Sequence, residues 1–308
     1  MRVNHTVLQF AHYKDLQIHC AGLGEVLFDI FPYSMKLGGA PANFAYHCSQ
    51  IGFASLIVSA VGNDAYAEKA RTLLALKYMP AFLPIVPYPT GAVHINIDRS
   101  GIPSYSFLAD TAYDHIPTSE YILELAKNTH VACFGTLAQR SHESRQTILT
   151  FLDHMPSEYR IRIFDVNLRE DYYSQDMITA SLAHCEVLKC NAEELPILTS
   201  FAGLKHADAA AYYAYLQETY AINCMIYTEG SKQSTVFLND TVSVLPTAQT
   251  TVVDTVGAGD SFGAACICGL LKGLPLQDAH AFATKVASFV CTQEGAMPEF
   301  PSCFKLND

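Results

Sequence analysis

The sequence predicts an α/β fold built around a mainly parallel sheet. From residue 116 onward, helical and strand patterns alternate, which is the mark of βαβ units. Residues 18–31 form an almost continuous apolar run, as expected for a strand covered on both faces of a parallel sheet. The 308 residues are 50% hydrophobic and 16% charged, which is enough for one large core. We therefore predict a single α/β domain over residues 1–308.

Composition and charge exclude several classes of partner. The net charge is −11, and the sequence contains no block of Lys or Arg. Nucleic acid is therefore not an expected partner, because its binding depends on cations that neutralise phosphates. An anionic membrane surface is disfavoured for the same reason. A small anionic ligand stays compatible, since a few backbone N–H groups and one Arg can hold it.

The cysteines and the N-terminal residues indicate a reducing compartment. The ten cysteines form no Cys-x-x-Cys pair, and most lie in apolar runs, where a free thiol behaves as a small hydrophobic group. Residues 1–17 contain no long apolar core, so they predict neither a signal peptide nor a membrane span, and we assign them no function. We expect reduced thiols and a cytoplasmic protein.

The predicted elements follow one another in a regular order. After the strand at 18–31, a helix leads from the pair Gly38-Gly39 to Gly52, where it ends. Residues 89–108 alternate with period two around a turn at 99–101, which predicts a half-exposed hairpin. The other predicted helices are 64–76, 119–128, 141–154, 207–219 and 279–290, and the other predicted strands are 55–61, 131–135, 161–166, 224–227, 235–238 and 241–245.

A glycine-rich stretch in the last quarter of the chain carries the strongest chemical signal. A β-branched run at 251–253 predicts the end of a strand, and a turn through Gly257, Ala258 and Gly259 leads into an apolar helix. Glycines permit backbone angles that point several N–H groups into one concavity, where the helix dipole also favours an anion. A carboxylate at Asp260 would repel a phosphate there. It makes sense if it accepts a proton from a hydroxyl while phosphoryl charge develops.

A second motif separates this interpretation from a simpler one. Alone, the stretch is also compatible with a glycine-rich turn whose aspartate caps the helix. The segment GGAPANFA (38–45) is a further glycine pair that leads into a helix. Together the two motifs resemble the paired signatures of the ribokinase (PfkB-type) family of sugar kinases. The segments GEVLFD (24–29), GGAPAN and DTVGAGDSF (254–262) are most similar to its fructokinase branch, and the resemblance extends from about residue 18 to the end.

The resemblance implies a fold and a set of ligands. The fold is a ribokinase-like three-layer α/β/α sandwich around a mainly parallel sheet, with a small antiparallel β lid. Residues of about 31–38 and 89–112 would form this lid over the sugar. The lid is often a dimer contact in the family, which implies a homodimer. The implied ligands are a small sugar, ATP and Mg²⁺, and the family pattern is compatible with K⁺.

The resemblance also implies roles for residues of both motifs. Asp29, Gly38, Gly39 and Asn43 would hold the sugar, while the structural alternatives are a charge at a strand end for Asp29 and a helix cap for Asn43. Asp260 would take the proton of the sugar hydroxyl. The other catalytic groups would be the turn that begins at Gly257, with the N–H groups of Ala258, Gly259 and Asp260, and the guanidinium of Arg169, for which a surface arginine is the alternative.

The nucleotide and metal positions come from the same resemblance. Glu194 would bind Mg²⁺ through water, and Asp254 would face a monovalent cation, while the structural alternative for both is a cap. A departure from the family is Thr284, at a position where an asparagine near adenine is common. The residues implied at the nucleotide are Lys189, Asn191, Thr228, Gly230, Gly257 and Gly259.

These residues predict an ATP-dependent sugar kinase. It would transfer the γ-phosphoryl group to a hydroxyl of fructose, with a primary hydroxyl as the expected acceptor. Another sugar, a sugar acid and a nucleoside are the alternatives within the class. A relative that binds ligands without turnover is the alternative outside it, and the intact Asp260 argues against that. The chain lacks G-x-x-x-x-G-K-[ST], which excludes a P-loop kinase, and it has no G-x-G-x-x-G after a strand.

Overall fold

A nine-stranded sheet forms the centre of the described residues (8–13, 16–97 and 103–306) in the computed structural model. The strands of this sheet and of a second, smaller sheet are, in chain order, β1 (His19–Leu23), β2 (Leu27–Ile30), β3 (Met35–Gly38), β4 (Ala54–Val58), β5 (Ala81–Phe82), β6 (Gly91–Ile97), β7 (Pro103–Phe107), β8 (Val131–Phe134), β9 (Ile161–Asp165), β10 (Val187–Asn191), β11 (Cys224–Thr228), β12 (Gln233–Leu238) and β13 (Thr241–Pro246). The large sheet has the order β13-β12-β11-β10-β9-β8-β1-β4-β5. Its strands from β11 to β5 are parallel, and β12 and β13 are antiparallel at one edge.

Helices cover both faces of this sheet. They are α1 (Ala40–Ile51), α2 (Ala65–Leu76), α3 (Glu120–Lys127), α4 (His142–His154), α5 (Gln175–Leu182), α6 (Leu195–Phe201), α7 (Ala209–Tyr220), α8 (Ala258–Leu271) and α9 (Leu276–Cys291). One core lies between the sheet and α1, α8 and α9, a second lies beneath α3 to α7, and a third packs α1 and α2 against β2 and β3. The predicted three-layer α/β/α arrangement is confirmed. In the described part of the chain, no helix combines the length and apolar character that a bilayer crossing requires.

The strands are apolar because both of their faces are buried. In β9, Ile161 and Ile163 point into the core of α1, α8 and α9, whereas Phe164 points into the opposite core. Successive side chains of a strand alternate between faces, so a sheet covered on both sides needs apolar residues at every position. This explains why most positions of these strands are apolar, and the buried charges of β9, Arg162 and Asp165, are paired with Glu186 and Lys189.

A second sheet of four strands has the order β3-β2-β6-β7. The pairs β2–β3 and β6–β7 are antiparallel, and the central pair β2–β6 is parallel. The single strand predicted at 18–31 is therefore wrong, because β1 belongs to the large sheet and β2 to the small one. The chain changes sheet after Gly24, whose φ of 145° lies in a region that favours glycine. The predicted lid ranges 31–38 and 89–112 contain β3, β6 and β7, and the predicted turn at 99–101 lies outside the described residues.

The strand end predicted at 251–253 does not belong to either sheet. Val253 and Asp254 donate their N–H groups to the carbonyl of Cys291, at 2.8 and 3.3 Å. The side chains of Val252 and Val253 are exposed. The segment therefore pairs with the end of α9 instead of a strand, and this pairing sets the path of the chain into α8.

The cysteines serve mainly as core residues. All ten are free thiols, and eight of them are buried. Cys48 on α1 and Cys266 and Cys268 on α8 belong to the core that these helices form with the sheet. Cys291 is half-buried and Cys303 is exposed.

A histidine joins the connections of the small sheet to α4. His115 Nε2 lies 2.7 Å from Asp110 Oδ1, after β7, and Nδ1 lies 2.7 Å from Glu143 Oε2 on α4. Its ring stacks on Tyr88, which precedes β6, with ring centroids 3.4 Å apart. Burial lowers the pKa of His115, but the hydrogen bonds to Asp110 and Glu143 outweigh it and raise the pKa. Two carboxylates at opposite ring nitrogens favour the doubly protonated imidazolium.

We expect His115→Gln to lower the free energy of unfolding at about pH 6 and to have a smaller effect at about pH 9. A raised folded-state pKa stabilises the protein fully below the unfolded-state value of about 6.5, and this stabilisation is lost as the pH rises through the folded-state pKa. Urea unfolding across this pH range measures the difference. His142→Gln, at an exposed position of α4, is the control. An effect of His115→Gln that does not change with pH would contradict the ion pairs.

Candidate active site

Two helix N-termini meet at the carboxyl edge of the parallel sheet. Asn43 lies in the first turns of α1, and Asp260 lies in the first turn of α8. Asn43 Nδ2 donates to Asp260 Oδ2 at 2.7 Å, across a separation of 217 residues in the chain. The two glycine motifs therefore form one site, at the edge where open α/β sheets bind their ligands.

Asp260 is a carboxylate with a raised pKa. Desolvation by burial raises the pKa of Asp260 to about 6, and the charge of Lys189 and the hydrogen bond from Asn43 oppose this rise. The carboxylate is therefore ionised at neutral pH, yet it is a stronger base than an aspartate in water. These properties suit a group that accepts a proton from a nearby hydroxyl.

A buried ion pair lies beneath the first turn of α8. Lys189 Nζ donates to both carboxylate oxygens of Asp165, at 2.8 and 2.7 Å. A Cβ on Gly259 would lie 3.4 Å from Lys189 Nζ, and a Cβ on Gly263 would lie 3.0 Å from Lys189 Cδ. Burial lowers the pKa of Lys189, but the charges of Asp165 and Asp260 outweigh it and raise the pKa. The ammonium is thus a positive charge held under the turn by Asp165, and its position near the phosphates of a nucleotide stays a prediction.

The turn into α8 depends on Gly257. Its φ is 79°, and a Cβ there would lie 2.8 Å from a neighbouring backbone atom. Among the described residues, the N–H groups of Gly259 and Asp260 have no backbone acceptor, whereas Ala258 donates to the carbonyl of Thr255 at 3.2 Å. The prediction that the Ala258 N–H faces an anion needs correction, because the turn itself uses this donor. Two N–H groups at the helix start remain for a ligand.

Two more carboxyl groups lie beside the Gly38-Gly39 pair of the first glycine motif. Burial raises the pKa of Asp29 on β2 to about 6 and that of Glu25 to about 7. A Cβ on Gly38 would lie 3.1 Å from Asp29 Oδ2. Gly39 has a φ of 120°, and a Cβ on it would lie only 2.1 Å from the Glu25 carbonyl oxygen. Glu25 Oε1 accepts the N–H of Ala40 at 3.2 Å. Glu25 is not among the predicted site residues, although a charge inside an apolar run is a signal for a site.

Arg169 lies close to these carboxyl groups. Its side chain is exposed, and Nη1 donates to the carbonyl of Leu168 at 2.9 Å. Its charge lowers the pKa values of Asp29, Glu25 and Asp260, against the larger effect of burial. The charge of Arg169 thus acts on carboxyl groups at both glycine motifs, which the sequence predicts as parts of one site.

Asn191 and Glu194 form a reciprocal capping arrangement. Asn191 Oδ1 accepts the N–H groups of Glu193 and Glu194, and Glu194 Oε2 accepts the Asn191 N–H at 2.9 Å. Glu194 Oε1 accepts the Leu168 N–H at 3.0 Å. Both oxygens of this buried carboxyl therefore have backbone donors. The capping alternative describes this geometry, and the contact of Glu194 with Mg²⁺ through water stays a prediction.

The charges of the site are compatible with Mg²⁺. Asp165, Glu194 and Asp260 surround the single ammonium of Lys189, so carboxylates outnumber cations when all are ionised. Magnesium usually keeps several waters and binds few protein groups directly. In the described residues, no cluster of three or more His, Cys, Asp or Glu side chains forms a metal cage. The residues present thus fit an ion held by phosphate oxygens and water more than one held by the protein alone.

Asp254 has three donors in the structure. Its Oδ1 accepts the Val256 N–H at 3.0 Å, and Oδ2 accepts the Gly295 N–H at 3.0 Å and Lys36 Nζ at 3.1 Å. Burial raises the pKa of Asp254, but these three donors outweigh it and lower the pKa. A monovalent metal ion at this carboxylate would lie beside an ammonium of the same sign. The residues present therefore do not fit the predicted K⁺ position.

A cavity of about 400 Å³ lies beside the start of α8. Of the residues predicted at the nucleotide, Thr228, Gly230 and Gly259 line it. Among the described residues, the other three, Lys189, Asn191 and Gly257, lie outside this lining. Sequence reasoning missed most of the wall, which includes Thr247, Ala248, Gln249, Thr250, Ala287 and Cys291. Thr284 also lines the cavity.

A neutral histidine supports the wall of this cavity from behind. His280 on α9 bonds Ser234 Oγ on β12 and Ser243 Oγ on β13, each at 2.8 Å. Its ring meets Phe262 edge to face, with centroids 5.6 Å apart. Burial lowers the pKa of His280 to about 4. The neutral ring therefore holds the antiparallel edge of the sheet against α9 at neutral pH.

Comparison with known proteins gives a consistent picture. The sequence matches the pfkB family of carbohydrate kinases over residues 12–303. It is 25% identical to a fructokinase of Klebsiella pneumoniae over 299 residues, which cover 91% of this chain and 95% of the relative. The crystal structure of an uncharacterized sugar kinase from Pyrococcus horikoshii is 26% identical, covers 91% of this chain and 93% of its own, and gives a TM-score of 0.77.

A more distant structure supports the fold. The fructokinase of Xylella fastidiosa, with bound ATP, is 19% identical and gives a TM-score of 0.81, with 93% of this chain and 96% of its own covered. The family match spans both glycine motifs and all the elements that meet at Asp260. The chain therefore belongs to the pfkB family of carbohydrate kinases, which are phosphotransferases with a hydroxyl acceptor.

Proposed function

We propose that the chain transfers the γ-phosphoryl group of ATP to a primary hydroxyl of fructose. The Pyrococcus horikoshii kinase, 25% identical in its complex with ATP, supports the donor. The Klebsiella pneumoniae fructokinase supports the acceptor. The observation that carries the proposal is the 2.7 Å contact between Asn43 of the sugar motif and Asp260 at the start of α8. It means that a sugar beside Asn43 would also be beside a base.

In the proposed reaction, Asp260 takes the proton of the attacking hydroxyl. Its pKa of about 6 leaves it ionised at neutral pH and basic enough to assist. The N–H groups of Gly259 and Asp260 and the dipole of α8 would stabilise charge on the transferring phosphoryl group. Arg169 would add a cation on the same side. Mg²⁺, when bound, would neutralise charge on the phosphates, and Glu194 would hold it through water.

The sugar and the nucleotide would occupy opposite sides of Asp260. Asp29, Gly38, Gly39 and Asn43 would bind the sugar, because their carboxylate, amide and backbone groups suit a polyol. The cavity lined by Thr228 and Gly230 would hold the nucleotide. Gly257 shapes the turn between these two regions.

The lid and the assembly belong to the same proposal. Residues 1–308 would form one kinase domain in which the lid, at about 31–38 and 89–112, excludes water from the reacting groups. A homodimer would form through the lid sheet. The ten free thiols favour a reducing compartment, and we place the enzyme in the cytoplasm.

A substrate panel tests the proposal directly. ADP release is measured with ATP and Mg²⁺ against fructose, other sugars, sugar acids and nucleosides. We expect turnover with fructose and a loss of roughly 10²–10⁴-fold in Asp260→Asn, the range that general-base catalysis supplies. Asp278→Asn, which removes an exposed acid from the first turn of α9, is the matched control.

Each outcome of the panel has a distinct meaning. Turnover with another compound would keep the kinase and replace fructose. ATP binding without turnover on any compound would favour a relative that only binds its ligands. Full activity in Asp260→Asn would exclude Asp260 as the base.

The pH profile is a second test. We expect kcat/KM to fall below about pH 6 by about tenfold per pH unit for each carboxylate that must be ionised, and thus by up to about a hundredfold per unit, because protonation removes both the base at Asp260 and the sugar ligand at Asp29. Initial rates at saturating ATP, with stability checked at each pH, give the profile. Activity that stays constant down to about pH 4.5 would contradict the assignment of these carboxylates.

The nucleotide cavity can be tested separately from the sugar site. Ala287→Leu would place three extra carbon atoms in the cavity wall, so we expect the KM for ATP to rise about tenfold or more and the KM for the sugar to change little. Ala281→Leu, on the same helix and outside the cavity lining, is the control. Equal effects of the two substitutions on ATP would place the nucleotide elsewhere.

A further inference from the structure

Lys36 connects the small sheet to the loop that enters α8. It lies on β3, directly opposite Asp29 in the β2–β3 register. Its Nζ lies 3.1 Å from Asp254 Oδ2, across a separation of 218 residues in the chain. The side chains of Lys36 and Asp254 are 28% and 17% exposed, so the ion pair is partly protected from water. The ammonium also lies 5.6 Å from the centre of the Phe31 ring.

The charge of the Lys36 ammonium affects the pKa values of two carboxylates that lie in different parts of the site. Lys36 lowers the pKa of Asp29 as well as that of Asp254, although burial has the larger effect on each. Asp29 is the candidate sugar ligand, and Asp254 begins the loop that ends at Gly257. A single cation therefore couples the sugar side of the site to the phosphoryl side.

The hydrogen bonds of Asp254 explain how Lys36 can affect the loop at 254–257, which leads into α8. Asp254 accepts the N–H groups of Val256 and Gly295, so it holds the loop before α8 against the turn after α9. The turn after α9 also packs against Gly257, because a Cβ on Gly257 would lie 2.8 Å from a backbone atom of that turn. The stem of Lys36 also contacts this turn, because a Cβ on Gly295 would lie 3.3 Å from Lys36 Cδ. Loss of the ammonium would leave Asp254 as a carboxylate without its cation.

We propose that Lys36 is a positioning residue that serves as the built-in cation of the loop at 254–257. It neutralises Asp254 and so holds the two free N–H groups of α8 where they face the phosphoryl group. The enzyme therefore needs no monovalent metal ion at this position. The proposal rests on the proposed kinase reaction, and it adds a role for a residue of β3 in arranging the loop at 254–257.

The position of Lys36 also makes this arrangement depend on the lid. β3 leads directly through Gly38 and Gly39 into α1, which carries Asn43. A displacement of β3 that removed the ammonium from Asp254 would also disturb the glycine pair at the sugar. The loop before α8 is therefore fully held only when the sugar side of the site is formed.

The experiment replaces the cation and supplies another from solution. Steady-state kcat and both KM values are measured for the wild type, Lys36→Met and Lys36→Arg. KCl is varied up to about 200 mM, with choline chloride to keep the ionic strength constant. Lys77→Met is the matched control, because Lys77 Nζ donates to the carbonyl of Met297 at 2.8 Å, two residues beyond the Gly295 turn, and does not bond Asp254.

We expect a wild-type kcat that does not change with K⁺. Without K⁺, we expect kcat to fall about tenfold or more in Lys36→Met, and added K⁺ to restore at least half of it. Lys36→Arg keeps most of the activity because it keeps the cation, and Lys77→Met does not gain a response to K⁺. A residue that acted only through packing would not produce this rescue by an ion.

Three results would overturn the proposal. They are a wild type activated several-fold by K⁺, a Lys36→Met variant that is fully active without K⁺, and a loss of kcat that K⁺ does not restore. Absence of turnover in the wild type with every compound would instead count against the proposed kinase reaction. In that case the midpoint temperature of thermal unfolding tests the role of Lys36. We expect K⁺ to raise this midpoint in Lys36→Met and not in the wild type, and the opposite pattern would overturn the role of Lys36. Lys36→Gln replaces Lys36→Met if the latter does not fold.

Discussion

The buried ion pair between Lys189 and Asp165 is the interaction on which the site depends. Removing two charges from water is costly, and here the cost is offset because both Asp165 oxygens bind the ammonium. The pair occupies the space under α8 that Gly259 and Gly263 leave open. The Lys189 ammonium opposes the effect of burial on the pKa of Asp260, whereas the Asp165 carboxylate adds to it. The small residues of the motif thus admit a counter-charge and also shape the backbone.

Local sequence signals identify the chemistry, whereas long-range contacts decide the geometry. The turn at Gly257 and the acid at Asp260 can be found within a few residues, because the backbone of the turn and the proposed base are neighbours in the chain. The contacts Asn43–Asp260 and Lys36–Asp254 join residues more than 200 positions apart. No periodicity or cap encodes such pairs, so they become visible only when β3, α1 and α8 are placed together.

The errors in the predicted elements have a related origin. The apolar run at 18–31 reports burial correctly, but burial is the same in either sheet, so it does not reveal that β1 and β2 have different partners. The β-branched run at 251–253 has the propensity of a strand, yet its N–H groups pair with Cys291 at the end of α9. The cavity wall at 247–250 could not be predicted from the sequence either, because irregular backbone forms it and no motif marks such residues.

The small sheet is assembled from two separate excursions of the chain. β2 and β3 precede α1, and β6 and β7 follow β5, yet β2 pairs directly with β6. The intervening α1, β4, α2 and β5 belong to the main body. Pairing distant strands carries a loop-closure entropy that is offset most readily after this body has formed, so we expect the small sheet to close late in folding. A folding chain would therefore complete its central framework first, and the ability to select a sugar would be acquired as a separate, later event.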